Sequence, residues 1–196
     1  VTYDGETTLG QVTWLGAWRS GYSFEGWFTE PEGGSEVTKS TAVPYDYPTY
    51  YAHWKGRDVT LSWDSDGGSA VAATTQTYAD GAKVALPEPP SRPGYEFKGW
   101  FDAEGSQVTG QTPLPTSNAA YHARWEAAHV AWYFNPNGGA FTNGQTTTIW
   151  VDGGAYDPSK VLGDFWWQDA RRHGYRFDGW FTAASGGSQV TSATVV

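Results

Sequence analysis

Gly94-Tyr95-Glu96-Phe97-Lys98-Gly99-Trp100-Phe101 is the middle of three statements of one phrase. The first is Gly21-Tyr22-Ser23-Phe24-Glu25-Gly26-Trp27-Phe28, and the third is Gly174-Tyr175-Arg176-Phe177-Asp178-Gly179-Trp180-Phe181. Tyr, Phe and Gly-Trp-Phe are held, while the residues between them change charge freely. A strand with one solvent-facing side varies in this way, keeping its apolar positions and releasing its polar ones. A catalytic motif would do the reverse. The phrase therefore marks a repeat whose signal concerns packing, and Gly26, Gly99 and Gly179 are placed to form a bulge that turns the following Trp inward.

Composition narrows the class. The 196 residues carry 17% aromatics, 25 Gly and 11 Pro, with charged residues sparse. With abundant Thr, Tyr, Val and Trp, this predicts a β-rich chain with frequent turns. No window holds a 3.6-residue apolar period, which argues against an all-helical fold. The formal charge of −9 opposes nucleic-acid binding, since phosphate contacts need clustered Lys and Arg. Arg171-Arg172-His173 alone looks basic. Cysteine is absent, which removes disulfides and thiolate chemistry. No apolar run has membrane-spanning length and no signal peptide is seen, so the chain reads as an internal soluble fragment without membrane insertion.

Aligned on the phrase, the chain divides into three units. In the middle one, Val59-Thr60-Leu61-Ser62-Trp63-Asp64 alternates as a strand and closes in Asp64-Ser65-Asp66-Gly67-Gly68. Its counterpart is Val130-Ala131-Trp132-Tyr133-Phe134, closed by Asn135-Pro136-Asn137-Gly138-Gly139. Second strands are expected at Thr75-Gln76-Thr77-Tyr78 and Thr147-Thr148-Ile149-Trp150-Val151, each making a hairpin with the first. A connector follows: Pro-rich at Leu86-Pro87-Glu88-Pro89-Pro90-Ser91-Arg92-Pro93, and with Asp164-Phe165-Trp166-Trp167-Gln168-Asp169-Ala170-Arg171 able to form about two helical turns in the third unit. After the phrase come a Gly-rich turn and a short strand ending in Val-Thr at 37–38, 108–109 and 190–191. The last strand is Tyr50-Tyr51-Ala52-His53-Trp54 in the first unit and Tyr121-His122-Ala123-Arg124-Trp125 in the second. Val1-Thr2-Tyr3-Asp4-Gly5 aligns with a second strand. The expected units are thus 1–57 lacking its first strand, 58–128 complete, and 129–196 lacking its last strand.

A hairpin with an Asn/Asp-rich Gly-Gly turn, a variable connector, Gly-Tyr-x-Phe-x-Gly-Trp-Phe, Val-Thr and a closing Tyr-x-Ala-x-Trp resembles the Listeria–Bacteroides repeat, the internalin-type B-repeat of bacterial surface proteins. The resemblance covers nearly the whole chain. It implies an α+β, mostly β fold of tandem small β-grasp (ubiquitin-like) modules, each of roughly 70 residues, with short or absent helices. It also implies an extracellular stalk or spacer, on the bacterial surface or secreted, that serves adhesion. No cofactor and no catalytic residue carries over. Expected partners are neighbouring modules of the same parent protein and a host or cell-surface protein or glycan. The Trp-bearing connectors at 11–20 and 158–173 depart from a uniform unit.

Function then turns on the twelve tryptophans. Trp27, Trp100 and Trp180 recur at one position and Trp54 and Trp125 at another, so they read as core, as do Trp63 and Phe134, with Leu61 and Trp132 at an equivalent inward position. Trp14, Trp18, Trp150, Trp166 and Trp167 have no aromatic equivalent in the middle unit. They are the candidate ligand or partner surface, able either to stack on a glycan or to seal a joint between modules. The Asp64-Ser65-Asp66-Gly67 stretch lacks the remaining acidic positions of a calcium loop and reads as a turn, so no metal is expected. His53, His122, His129 and His173 show no ligand spacing and are expected at the surface. Catalysis lacks support: Glu25, Lys98 and Asp178 share one position yet change sign, and no nucleophile motif occurs. The chain reads as non-enzymatic, with a carbohydrate-binding appendage of a secreted glycan-active enzyme as the alternative.

Overall fold

The computed structural model describes residues 8–11, 16–46, 48–165 and 168–195. They are overwhelmingly extended. In chain order the strands are β1 (Tyr22–Phe28), β2 (Glu36–Val37), β3 (Tyr51–Gly56), β4 (Asp58–Asp64), β5 (Thr74–Thr77), β6 (Tyr95–Phe101) and β7 (Gln107–Val108). They continue with β8 (Ala119–Ala127), β9 (His129–Phe134), β10 (Ala140–Phe141), β11 (Ile149–Ala155), β12 (Ala170–Arg171), β13 (Trp180–Phe181) and β14 (Gln189–Val190). Helical structure among the described residues amounts to the 3-10 turns Leu9–Gln11 and Leu162–Asp164. The chain forms two compact units: Val1–Asp66, Ala70–Pro89 and Gly99–Ala123 make one, and Gly67–Ser69, Pro90–Lys98 and Arg124–Val196 the other.

The middle repeat holds a five-stranded sheet in the order β5-β4-β8-β6-β7. Strand β4 pairs antiparallel with β5 and parallel with β8, in the register Leu61↔Ala119 and Trp63↔Tyr121. Alternation does what the sequence predicts: Val59 and Leu61 are fully buried and Trp63 nearly so, while Asp58, Thr60, Ser62 and Asp64 face water. Trp63 lies 5.0 Å from both the Trp100 and Tyr121 rings, and its indole N–H donates to Thr74 Oγ1 at 3.0 Å. Val84, Val108, Leu114 and Ala123 complete this core.

The expected bulge forms at Gly26, and all three phrase glycines have positive φ. The β1–β3 register shifts between Phe24 and Gly26, where φ is 147°, and Gly99 and Gly179 have φ of 124° and 121°. The extra residue brings Phe and Trp of the phrase onto one side. Phe24 and Trp27 stand 5.5 Å apart edge to face, as do Phe177 and Trp180. Trp100 and Trp180 are buried, while Trp27, Trp54 and Trp125 are half-buried. Trp54 and Trp125 each meet the phrase Phe of their own repeat at 5.4 Å.

Two expectations are corrected. Among the described residues of 164–171 there is no pair of helical turns: Asp164 ends a 3-10 turn and Ala170–Arg171 is a strand paired with Ala140–Phe141. Ala170 is buried beside Phe141 and Trp180, and that packing outweighs a short, aromatic-rich helix with little propensity. The two expected hairpins form, β4 antiparallel with β5 and β9 antiparallel with β11, across loops longer than the Gly-Gly turns themselves. Asp66 and Asn137 adopt positive φ within loops that run on to β5 and to β10. Finally, the third phrase is a strand only at Trp180–Phe181, although the same residues give seven-residue strands in the other repeats. In those repeats the phrase is flanked by β3 or β8; here, among the described strands, β14 is the one that pairs with it. The reading of Val1-Thr2-Tyr3-Asp4-Gly5 as a strand lies outside the described residues.

Candidate functional site

Each phrase begins in a turn that recurs in full. Arg19-Ser20-Gly21-Tyr22, Arg92-Pro93-Gly94-Tyr95 and Arg172-His173-Gly174-Tyr175 all close with the Tyr amide donating to the Arg carbonyl, at 3.0–3.2 Å. In each, the guanidinium lies over its Tyr ring at 4.1–4.3 Å from the centroid. The glycines have φ of 77–78°, which a side chain rarely adopts.

Two of these turns are occupied, each within one compact unit. Tyr78, just after β5, lies edge-on to Tyr22 at 5.4 Å, with its ring where a Cβ on Gly21 would stand. Tyr156, just after β11, does the same to Tyr95 at 5.5 Å and to Gly94. A backbone clamp accompanies each ring. The Arg57 amide donates to the Gly21 carbonyl at 2.9 Å, and the Tyr78 amide donates to the Arg57 carbonyl at 2.8 Å. Ala128 stands in for Arg57 at the second joint, between Gly94 and Tyr156, at 2.8 and 2.7 Å. The residue linking one repeat to the next is thus held by both. Edge-to-face rings contribute about 0.5–1.5 kcal/mol beyond their burial, and each clamp bond about 1 kcal/mol.

The joints differ in one way that the sequence explains. At the first, Tyr22 Oη accepts from the Asp80 amide at 2.9 Å and Arg19 pairs with the Asp80 carboxylate. At the second, Pro158 stands at the Asp80 position and has no amide to give. There Asp157 instead accepts from the Ser159 hydroxyl and amide, which hold its carboxyl below the usual range. Beside the same joint Lys98 Nζ lies 2.6 Å from Glu126, an exposed pair that raises the lysine and lowers the carboxylate. At the strand position shared by residues 25, 98 and 178, Lys98 is thus engaged in ion pairing at the surface.

The third turn differs in its surroundings. Among the described residues nothing lies within 4 Å of a Cβ position on Gly174, and Tyr175 is exposed. Beside it opens a cleft of about 750 Å³ lined by β9, its following turn, and residues 175–184.

Of the predicted tryptophans, Trp18 and Trp150 lie among the described residues. Trp18 is 84% exposed beside the first turn. Trp150 is 54% exposed on β11, directly opposite exposed Tyr133 on β9. On that face His129 Nε2 lies 2.9 Å from Asp152 Oδ1. Trp14, Trp166 and Trp167 lie outside the described residues. Of the histidines, His122, His129 and His173 are exposed, whereas His53 is half-buried, stacked on Phe28 at 3.9 Å with Nε2 3.0 Å from the Glu30 carbonyl. Sequence reasoning passed over Tyr78, Tyr156 and the Arg two residues before each phrase Gly. The recurrence of Arg-x-Gly-Tyr was the available signal. Among the described residues no group of three or more His, Asp or Glu is placed to hold a metal ion, and no helix is long and apolar enough to cross a membrane.

A family model described as the Listeria-Bacteroides repeat domain matches residues 1–53, 60–123 and 131–196. Two proteins of Evansella cellulosilytica are similar. "Putative Gly-rich membrane protein" is 27% identical over 83% of this chain and 18% of its own length. "Putative membrane protein" is 25% identical over 86% of this chain and 24% of its own length. The chain thus spans about a fifth to a quarter of these relatives. No solved structure matches it.

Proposed function

The chain belongs to the Listeria–Bacteroides repeat family, and from that premise we propose that it is a non-catalytic spacer segment of an extracellular bacterial protein, surface-held or secreted. The observation that carries this reading is the duplicated joint, in which a Tyr of one repeat seats on the Gly of the repeat before it. Built twice with the same parts, it supports a role in fixing one module against the next. Each repeat is read as a β-grasp module. The order β5-β4-β8-β6-β7, with first and last strands parallel at its centre, supports this for the middle one. The relatives' names and their greater length fit a surface protein of which this is one part.

Backbone relaxation by NMR tests the role. Repeats joined firmly share one rotational correlation time, and Tyr78→Ala separates the values of the first and middle repeats. Independent tumbling of the repeats in the unaltered chain overturns the spacer reading.

A second reading rests on Trp150 and Tyr133, opposite one another on the water-facing side of β9 and β11 beside the His129–Asp152 pair. An exposed aromatic pair flanked by hydrogen-bonding groups suits a sugar ring. Binding to a cell-wall polysaccharide that is lost in Trp150→Ala supports this glycan role; retention in that variant removes it.

A further inference from the structure

The water-facing side of β9 and β11 is built differently from its counterpart in the middle repeat. There β4 and β5 pair from Asp58↔Thr77 to Leu61↔Thr74 without a break in register. In the third repeat the β11 register shifts between Asp152 and Gly154, which makes Gly153 an extra residue. A Cβ on Gly153 would strike the Trp132 ring, and Gly154 has φ of 68°, so both places are kept for glycine. The bulge fixes a carboxylate. The Gly154 amide donates to Asp152 Oδ1 at 2.8 Å, and His129 Nε2 donates to the same oxygen at 2.9 Å. Among the described residues, Asp152 Oδ2 takes no hydrogen bond. Two residues before Asp152, on the same face, Trp150 stands opposite Tyr133, and both are exposed. Ala131, opposite Asp152, is small enough to leave the carboxylate open from above. Thr60 and Ser62, at the matching positions of β4, also face water in a repeat whose sheet has five strands, so this side is open in a filled sheet as well.

We infer that Asp152 is the specificity-determining residue of this face, and that the polymer it selects is an uncharged β-glucan with free equatorial hydroxyls. The inference rests on the reading of Trp150 and Tyr133 as a sugar platform and adds to it the class of sugar. An all-equatorial pyranose turns its C–H bonds to its two flat faces and its hydroxyls to its rim. Stacked on the indole, such a ring brings its rim towards an acceptor about 7 Å along the strand, the spacing of residues i and i+2. The free oxygen of Asp152 then accepts from those hydroxyls in charge-assisted hydrogen bonds. Because the bulge already holds the carboxylate, little ordering is lost when the sugar arrives. The same charge repels an acidic glycan, and neither β9 nor β11 carries a Lys or Arg to offset it.

The test is calorimetric titration of the whole 196-residue chain with cellohexaose and with a glucuronate oligomer of the same linkage and length. The unaltered chain should bind cellohexaose at least about tenfold more tightly than the glucuronate, a difference of about 1.4 kcal/mol. Asp152→Asn keeps Oδ1 for Gly154 and His129 and turns the free oxygen into an amide nitrogen. It should weaken cellohexaose at least about tenfold and bring the two affinities together, with the urea midpoint unchanged. Trp150→Ala should lose both sugars. Equal affinity of the unaltered chain for the two sugars overturns the inference without any variant. If Trp150→Ala loses the sugar while Asp152→Asn keeps both affinity and preference, the platform stands and the role of Asp152 falls. Binding that survives Trp150→Ala, no binding of either sugar, or self-association of the chain that Trp150→Ala abolishes removes the platform and the inference together.

Discussion

Replacing Gly94 by Ala separates the joint from the turn that bears it, because Gly174 provides a built-in control. Both glycines have nearly the same φ, 77° and 78°, and head the same Arg-x-Gly-Tyr turn. Ala at either site costs about 1–2 kcal/mol for the left-handed backbone. At Gly174 the new methyl meets none of the described residues within 4 Å, so the cost stops there. At Gly94 it is driven into the Tyr156 ring, and overpacking adds about 1–3 kcal/mol. The excess should appear as local opening. The amides of Ala128 and Tyr156, which form the clamp, should exchange about 5- to 150-fold faster in Gly94→Ala than in Gly174→Ala. Adding Tyr156→Ala to Gly94→Ala removes the collision, so the glycine substitution should then cost no more than at Gly174. If Ala128 and Tyr156 exchange equally in the two single variants, the close approach contributes nothing to the joint and the reasoning fails.

The remaining predictions follow from single contacts. Tyr22→Phe removes the acceptor for the Asp80 amide and should cost about 1 kcal/mol in urea unfolding; Tyr95→Phe, whose counterpart is Pro158, should cost clearly less. Trp100→Ala, at a nearly sealed position, should lower stability by about 3–5 kcal/mol in the same assay. For pH, Glu126 and Asp157 are depressed by Lys98 and Ser159 respectively, so their contribution is present above the ordinary values of 4.5 and 3.8 and is lost as pH falls through the lower folded ones. The raised Lys98 contributes fully below 10.5 and loses its part as pH rises above it. Carboxyl titration by NMR checks the acid side: Lys98→Gln should return Glu126 towards its ordinary value and leave Asp157 unmoved.

Much of this fold could be read along the chain. The three phrases, the alternation in β4, the short Val-Thr strands and the bulge at Gly26 all follow from period-two burial and from glycine's conformational freedom, which are properties of neighbouring residues. The inward Trp of the phrase was legible for the same reason. What failed locally was the connector at 164–171, where burial of Ala170 against Phe141 and Trp180 decides for a strand.

The rest belongs to tertiary structure. Nothing local states that β8 lies between β4 and β6, since a parallel neighbour is chosen by packing among segments far apart in sequence. Nor does any local feature say that Gly21 and Gly94 are held open for Tyr78 and Tyr156. Each of those glycines would be read as a turn residue, and each tyrosine as the end of a strand. One phrase also yields three outcomes: a seven-residue strand beside β3, another beside β8, and a two-residue strand beside β14 in the third repeat. Sequence alone determined what each repeat is made of. Which strand lies beside which, and where one repeat grips the next, is set by the partners that fill the hydrogen bonds and the space.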